Sequence, residues 1–379
     1  MTAAVPADCL HEQLAAELGI EVCEQAQDQW PFALSRYGYV ARIAKGSNLT
    51  KGLGCGSTPI EGRRRAIMEC VERFAPYCCD VPPTRVASGE SLGLDAISPN
   101  AFGLYSDSQY NYPRFPFVRY VERKPLEWLA VKEMTVEREC FVPIEFAYPM
   151  ATIGRQRLVG ETSNGAAAHR SRDAARLSAL CELIERDSVL MFWHRQPPTR
   201  VLPAASMSAA ALHDLDLIRA MGYVVVVCDL TYDLAIPCVL ALAFRGDRVV
   251  YGSGCHPSVV QSADHAVREL ATLLRWQLQY LDAPRRLAAL DEVRKPKDHH
   301  ALYDGGPLHG LLRQALDHAL SLPTPHRDWS GLSTVSDEES LGQVVDQLKS
   351  QGYDVYECDL TPPIARRFGV WVVRAYVPG

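Results

Sequence analysis

The sequence predicts a mixed α/β (α+β) fold in which helix–strand units repeat inside one large domain. Three observations predict it. Helical and strand signals interleave along the chain. Two internal repeats pair segments more than 100 residues apart. The 379 residues, 47% hydrophobic and 22% charged, can bury the core of one large domain or of two ordinary ones.

The helices come first. Thr58, Pro59 and Glu61 form a capping box with proline at the first helical position, so a helix starts there and Pro76 marks its end. Ser171, Arg172 and Asp173 open a second helix whose apolar positions run through Leu177, Leu180, Cys181 and Ile184. Ser336 and Glu339 form another capping box, on a helix that stops at Gly352, and a further helix is expected over Ala263–Leu281. Strands are expected at Leu126–Lys132, Tyr223–Asp229, Cys238–Phe244, Tyr353–Asp359 and Val370–Val377. The Pro-, His- and Arg-rich stretch Ala283–Gly331 reads as a linker-like helical insertion.

The net charge of −6 gives no global pull toward nucleic acid or an anionic membrane. Met1–Glu12 lacks the pattern of a signal peptide, and the most apolar stretch, Val224–Phe244, is broken by Asp229 and Asp233. A cytoplasmic protein is expected, with neither nucleic acid nor membrane as partner. The twelve cysteines include no Cys-x-x-Cys, and the adjacent Cys78 and Cys79 do not space like zinc ligands. They read as buried free thiols. His299 and His300 read as solvated, and Trp193 and Trp276 as core aromatics.

The first repeat pairs Glu69-x-x-Glu72-Arg73 with Glu182-x-x-Glu185-Arg186, each behind an apolar helical stretch. The second pairs Gly222-Tyr223…Cys228-Asp229-Leu230-Thr231 with Gly352-Tyr353…Cys358-Asp359-Leu360-Thr361. Glu-x-x-Glu puts two carboxylates on one helix face. One copy suits a solvated surface. Two copies can face each other as a four-carboxylate cluster, which stays ionised only beside cations such as Mg²⁺ carrying nucleotide phosphates. Arg73 and Arg186 then neutralise the carboxylates or bind phosphate. The sequence leaves both readings open.

Glu161-Thr162-Ser163-Asn164-Gly165, followed by Ser178…Glu182-x-x-Glu185-Arg186-Asp187, resembles the central signature of the YcaO superfamily. The resemblance continues through Phe192-Trp193, Pro197-Pro198, Gly252-x-Gly254-Cys255-His256 and Val372-Val373-Arg374 to Pro378-Gly379. It is nearest to the azoline-forming branch. It implies a YcaO-like fold over residues 41–379, with residues 1–40 as an N-terminal extension. It implies Mg²⁺ held by Glu69, Glu72, Glu182 and Glu185, and ATP contacts from Arg73, Ser163, Asn164, Ser178 and Arg186. The implied reaction is cyclodehydration of Cys, Ser or Thr in a ribosomal precursor peptide, through phosphorylation of a backbone amide. The implied partners are that peptide and a ThiF-like leader-binding protein, and a homodimer is common in the family.

The chain departs from the family pattern at four places. Cys55 stands where a Lys between two glycines is expected, and Arg65 where a Ser is expected. In Arg268…Thr272…Arg275, Thr272 stands where a metal-binding Glu is expected and Arg275 where a Gln is expected. The azoline-forming branch also continues past Pro-Gly into a proline-rich tail, where this sequence stops at Gly379. The alternatives are therefore a YcaO scaffold without catalysis, or a relative that forms thioamides or amidines.

Overall fold

The computed structural model describes residues 10–24, 30–45, 48–77, 81–136, 138–152, 156–280, 289, 292–293, 296–323 and 336–379. Helix α1 (Leu10–Leu18) and strand β1 (Glu21–Glu24) lead into the hairpin β2 (Tyr37–Lys45)–β3 (Asn48–Gly56), over which α2 (Pro59–Phe74) folds back. Strand β4 (Thr84–Ala87), the single turns α3 (Gly89–Leu92) and α4 (Asp107–Tyr110), and the hairpin β5 (Leu126–Glu133)–β6 (Glu139–Pro143) follow. Strand β7 (Ala166–His169) runs into α5 (Arg172–Arg195). Next come β8 (Arg200–Val201), α6 (Ala209–Ala220), β9 (Val224–Asp229), the hairpin β10 (Cys238–Arg245)–β11 (Arg248–Cys255) and α7 (Val259–Tyr280). The chain continues through α8 (Pro296–Tyr303), α9 (His309–Ser321), α10 (Asp337–Ser350), β12 (Tyr356–Asp359), α11 (Pro363–Arg367) and β13 (Trp371–Tyr376).

The strands form three antiparallel sheets, ordered β1-β2-β3, β11-β10-β9-β8 and β4-β5-β12-β13-β7, with β6 pairing to β5. All five expected strands are present, as β5, β9, β10, β12 and β13, with ends moved by three residues or fewer. The caps act as expected. Thr58 Oγ1 accepts from the Glu61 N–H, Ser171 Oγ from Ala174 and Ser336 Oγ from Glu339. The Glu61 carboxylate turns outward to the Ser57 N–H and hydroxyl, so the reciprocal half of the Thr58 box is absent.

The second sequence repeat is a structural repeat. Helices α6 and α10 end at Gly222 and Gly352, both with φ near +85°, where only glycine is unstrained. After β9 and β12, Asp229 and Asp359 accept from the N–H of Thr231 and Thr361. The two threonine hydroxyls then accept from Cys238 N and Val372 N in the next strands.

Residues 10–40 are built into the same core. Leu14 is buried with the α2 residues Ile67 and Val71, and the buried Asp214 of α6 accepts from the backbone N–H groups of Ala33 and Leu34. The expected helical insertion supplies α8 and α9, and α9 buries Leu312 and Leu316 against the α5 cluster. Its remaining residues, and Cys78 and Cys79, lie outside the described residues, as do the side chains of His299 and His300. Eight of the nine described cysteines are buried and all nine are free thiols. Trp193 packs edge-on to Tyr303, but Trp276 is 40% exposed on α7 and is not a core residue. Among the described residues no helix is long and apolar enough to cross a membrane.

Candidate functional site

Close approach of strand to helix creates the site. On β3, a Cβ at Gly52 would lie 2.2 Å from Ala66 O and one at Gly54 2.1 Å from Ala66 N, so only glycine lets α2 sit this near. On β11, a Cβ at Gly252 would lie 2.3 Å from Leu270 N and one at Gly254 2.3 Å from Ser262 O. The two hairpin–helix units are related by a shift of 200 residues, and their registers agree, with Gly38 facing Cys55 and Cys238 facing Cys255. This repeat was visible as Gly52-x-Gly54-Cys55 and Gly252-x-Gly254-Cys255, each followed by Ala-x-x-Glu, but sequence reasoning missed it.

Each close approach brings a strand N–H to a helix carboxylate. Leu53 N donates to Glu69 Oε2 at 2.6 Å, and Ser253 N donates to Glu269 Oε2 at 2.7 Å. The third unit, β7 and α5, repeats the device at 3.0 Å between Gly165 N and Glu182 Oε2. Gly165 has φ +74°, and a Cβ there would lie 2.9 Å from Ala375 O. Three helices thus each present one clamped glutamate. Glu269 is the one the sequence reading passed over, because it looked for the carboxylate at position 272. On α2 and α5 a second glutamate follows at i+3, Glu72 and Glu185. On α7 that place is Thr272, whose hydroxyl donates to Arg268 O at 2.7 Å.

The five carboxylates face one another. Burial pushes the Glu69 carboxyl up, aided by Glu269 and Glu182. It pushes Glu72 well up, aided by Glu182 and Glu69. Burial also raises Glu182 and Glu269. It lifts Glu185 to about 7, with Glu269 the next cause. Ser253 Oγ donates to Glu185 Oε1 at 2.6 Å. Such a cluster is short of positive charge. The sequence-derived arginines supply a little: Arg73 lies 2.5 Å from Glu69 and donates to Lys51 O, and Arg186 lies 3.5 Å from Glu182. Both are largely exposed.

The remaining sequence-derived residues line the same side. Ser178 is exposed one turn before Glu182, and so on the same face of α5. Ser163 and Asn164 are exposed on the loop that delivers Gly165, and Arg374 of β13 holds this loop by donating to Thr162 O at 2.8 Å. The side chains of Ser163, Asn164 and Ser178 engage no hydrogen-bond partner among the described residues, so they are open to a ligand.

The four departures also meet. Cys55 is buried, its thiol pushed up by burial and pulled down by a hydrogen bond with Thr272 and by Arg275 and Arg65, with Glu69 alongside. Arg65 is held by Glu61 through Nε and Nη2. Arg275 is 2% exposed and stacks 5.8 Å over Trp30, so it points into the core and not into the cluster. Arg268 has a buried Nε without a hydrogen-bond partner. Burial first and Arg65 next bring its guanidinium down to about 10, still charged at neutral pH.

Five glutamates with raised carboxyls, next to open hydroxyl and amide side chains, fit Mg²⁺ and a nucleotide. Among the described residues no three His, Cys, Asp or Glu side chains converge to hold an ion unaided. That suits Mg²⁺, which takes one or two carboxylates and completes its shell with phosphate and water.

A family model described as YcaO cyclodehydratase, ATP- and Mg²⁺-binding, matches residues 53–379. An uncharacterized protein in the tfuA 3′ region of Rhizobium leguminosarum bv. trifolii is 27% identical over 237 residues, 58% of this chain and 52% of that one. A heterocyclase solved in complex with substrate and cofactor superposes with a TM-score of 0.77 at 22% identity, covering 97% of this chain and 52% of its own. YcaO from Methanopyrus kandleri, bound with AMPPCP and Mg²⁺, superposes at 0.68 and 21% identity, covering 98% and 89%. The chain therefore spans about half the length of the first two. The structural likenesses establish the mixed α+β fold.

Proposed function

The chain belongs to the YcaO family, whose members bind ATP and Mg²⁺, and on that footing we propose that it is an ATP-dependent peptide cyclodehydratase subunit. The observation that carries this reading is the carboxylate cluster, with three glutamates each clamped by a strand N–H. Glu69, Glu72, Glu182, Glu185 and Glu269 would hold Mg²⁺. When bound, the metal would neutralise the charge of the transferring phosphoryl group.

The substrate is a ribosomal precursor peptide, brought by a ThiF-like leader-binding partner. A Cys, Ser or Thr side chain adds to the preceding backbone carbonyl, and the resulting oxyanion takes the γ-phosphoryl group of ATP. Phosphate then leaves with that oxygen as the thiazoline or oxazoline double bond forms and the amide nitrogen gives up its proton. Amide oxygen is a poor leaving group, and phosphorylation makes it a good one. Ser178, Ser163 and Asn164 would orient the nucleotide, while Arg73 and Arg186 would balance charge at the rim.

A second reading, a scaffold that binds a partner without turnover, is favoured by Thr272 and the buried Cys55. Calorimetric titration of the purified chain with Mg·ATP, beside Glu182→Ala, tests the first. Binding lost in the variant supports it. No binding by the folded wild-type protein overturns it and leaves the scaffold. With peptide and partner present, loss of one water marks azoline formation, and gain of sulfur for oxygen marks a thioamide.

A further inference from the structure

Next to the carboxylate cluster lies a patch of opposite sign whose charge the protein does not balance. Arg65 on α2 and Arg268 on α7 approach each other beside Cys55. Two neighbouring guanidinium groups repel, and the repulsion is weakly screened where water is partly excluded. The nearby acids are already engaged. Glu61 accepts both nitrogens of Arg65 and the Ser57 N–H and hydroxyl. Asp264 accepts from the Ser208 hydroxyl at 2.6 Å. Arg268 forms no ion pair among the described residues, and its buried Nε donates to nothing. A half-buried guanidinium with an idle donor, facing a second cation, calls for an anion from outside the chain.

The patch's position says which anion. Cys55 borders Glu69 on one side and Arg65 and Arg268 on the other, so the cation pair and the carboxylate cluster adjoin through one side chain. A ligand that fills both must carry metal-bound oxygens at one end and further negative charge a short distance along. A polyphosphate has that form, and a carboxylate or a lone phosphate does not. Arg268 is peculiar to α7, since the residue 200 positions earlier, Met68 on α2, is apolar.

We infer that Arg65 and Arg268 form a two-guanidinium clamp for the polyphosphate chain of the nucleotide, making this site select tri- and diphosphates over monophosphates. The inference rests on the nucleotide reading above. Charge-assisted hydrogen bonds of this kind are worth about tenfold to a hundredfold in affinity.

Titration of wild type, Arg268→Met and Arg268→Lys with Mg·ATP, AMP and tripolyphosphate, together with melting curves of the ligand-free proteins, tests it. Arg268→Met is expected to weaken Mg·ATP and tripolyphosphate about tenfold or more while AMP changes little, and Arg268→Lys to recover part of the loss. Removing an uncompensated cation should also leave ligand-free melting unchanged or raise it, whereas loss of a merely structural arginine lowers it. Wild type binding Mg·ATP with Arg268→Met binding equally well overturns the clamp and leaves the nucleotide reading standing. Wild type binding no nucleotide overturns both. If Arg268→Met does not fold, Arg268→Lys decides, because unchanged selectivity on losing the planar two-nitrogen donor also removes the clamp.

Discussion

Glu269→Gln should make the ligand-free protein more stable and the nucleotide-bound protein less so. Gln keeps the shape of Glu269 and an oxygen to accept the Ser253 N–H, now at 2.7 Å, but loses the charge. That charge is the largest influence on Glu185 after burial, and Glu185 is raised from 4.5 to about 7. The rise amounts to about 3 kcal/mol against an ionised Glu185 in the fold. If a third of it comes from Glu269, the variant gains about 1 kcal/mol, or about 2 °C in melting temperature for a chain of this size. The sign depends on pH. A carboxyl raised in the folded state favours the fold fully below 4.5, and that advantage is lost as pH rises through about 7. The gain from Glu269→Gln therefore appears near pH 8 and shrinks toward pH 5. Mg²⁺ reverses the balance, because the cation needs the charge that apo protein suffers from. Differential scanning fluorimetry at pH 5 and 8, with and without Mg·ATP, reads all four conditions. A variant that melts lower than wild type at pH 8 without ligand, and is still stabilised normally by Mg·ATP, would refute this account of the cluster.

Two further substitutions test the scaffold beneath it. Gly52→Ala puts a methyl 2.2 Å from Ala66 O and 2.3 Å from Cys70 N, both backbone atoms, so α2 must back away. The expected cost is about 1–3 kcal/mol, seen as a lower melting temperature with weaker Mg·ATP binding as Glu69 leaves the Leu53 N–H. Glu357→Gln removes the buried partner of Arg172 and Arg176, and chemical denaturation should show a loss of about 3–5 kcal/mol with no change in nucleotide specificity.

Helix starts were legible because capping is local: Thr58, Ser171 and Ser336 each act within one turn. The apolar strands β5, β9, β10 and β13 were legible because their neighbours only add to a preference already in the sequence. Strand β3 was not. Its Gly52, Gly54 and Gly56 argue against a strand on propensity, and they are there because a helix lies on the strand's face. The same cause hid Gly252 and Gly254 in β11, and with them the third unit of the site. The Glu-x-x-Glu repeat gave four carboxylates, but Thr272 erased the pattern on α7, so Glu269 could be recovered only from the helix–strand contact that positions it.

That contact explains why the repeated part of this fold is backbone and not side chain. A carboxylate anchored to a strand N–H keeps its other oxygen free, and it needs no neighbouring side chain to orient it. Glu69, Glu182 and Glu269 are anchored this way, so the positions three residues on are free to differ. They hold Glu72, Glu185 and Thr272. Replacing the sixth acid by threonine removes one repulsive charge and leaves the three anchors untouched. It also places a neutral hydroxyl beside Cys55, between the acids and the Arg65–Arg268 pair. The site thus runs from negative to positive along one line. A metal–polyphosphate ligand matches that order of charge, and the ligand's charge sequence reads directly onto three successive residues of α7, with Glu269 beside the metals and Thr272 and Arg268 along the chain of phosphates.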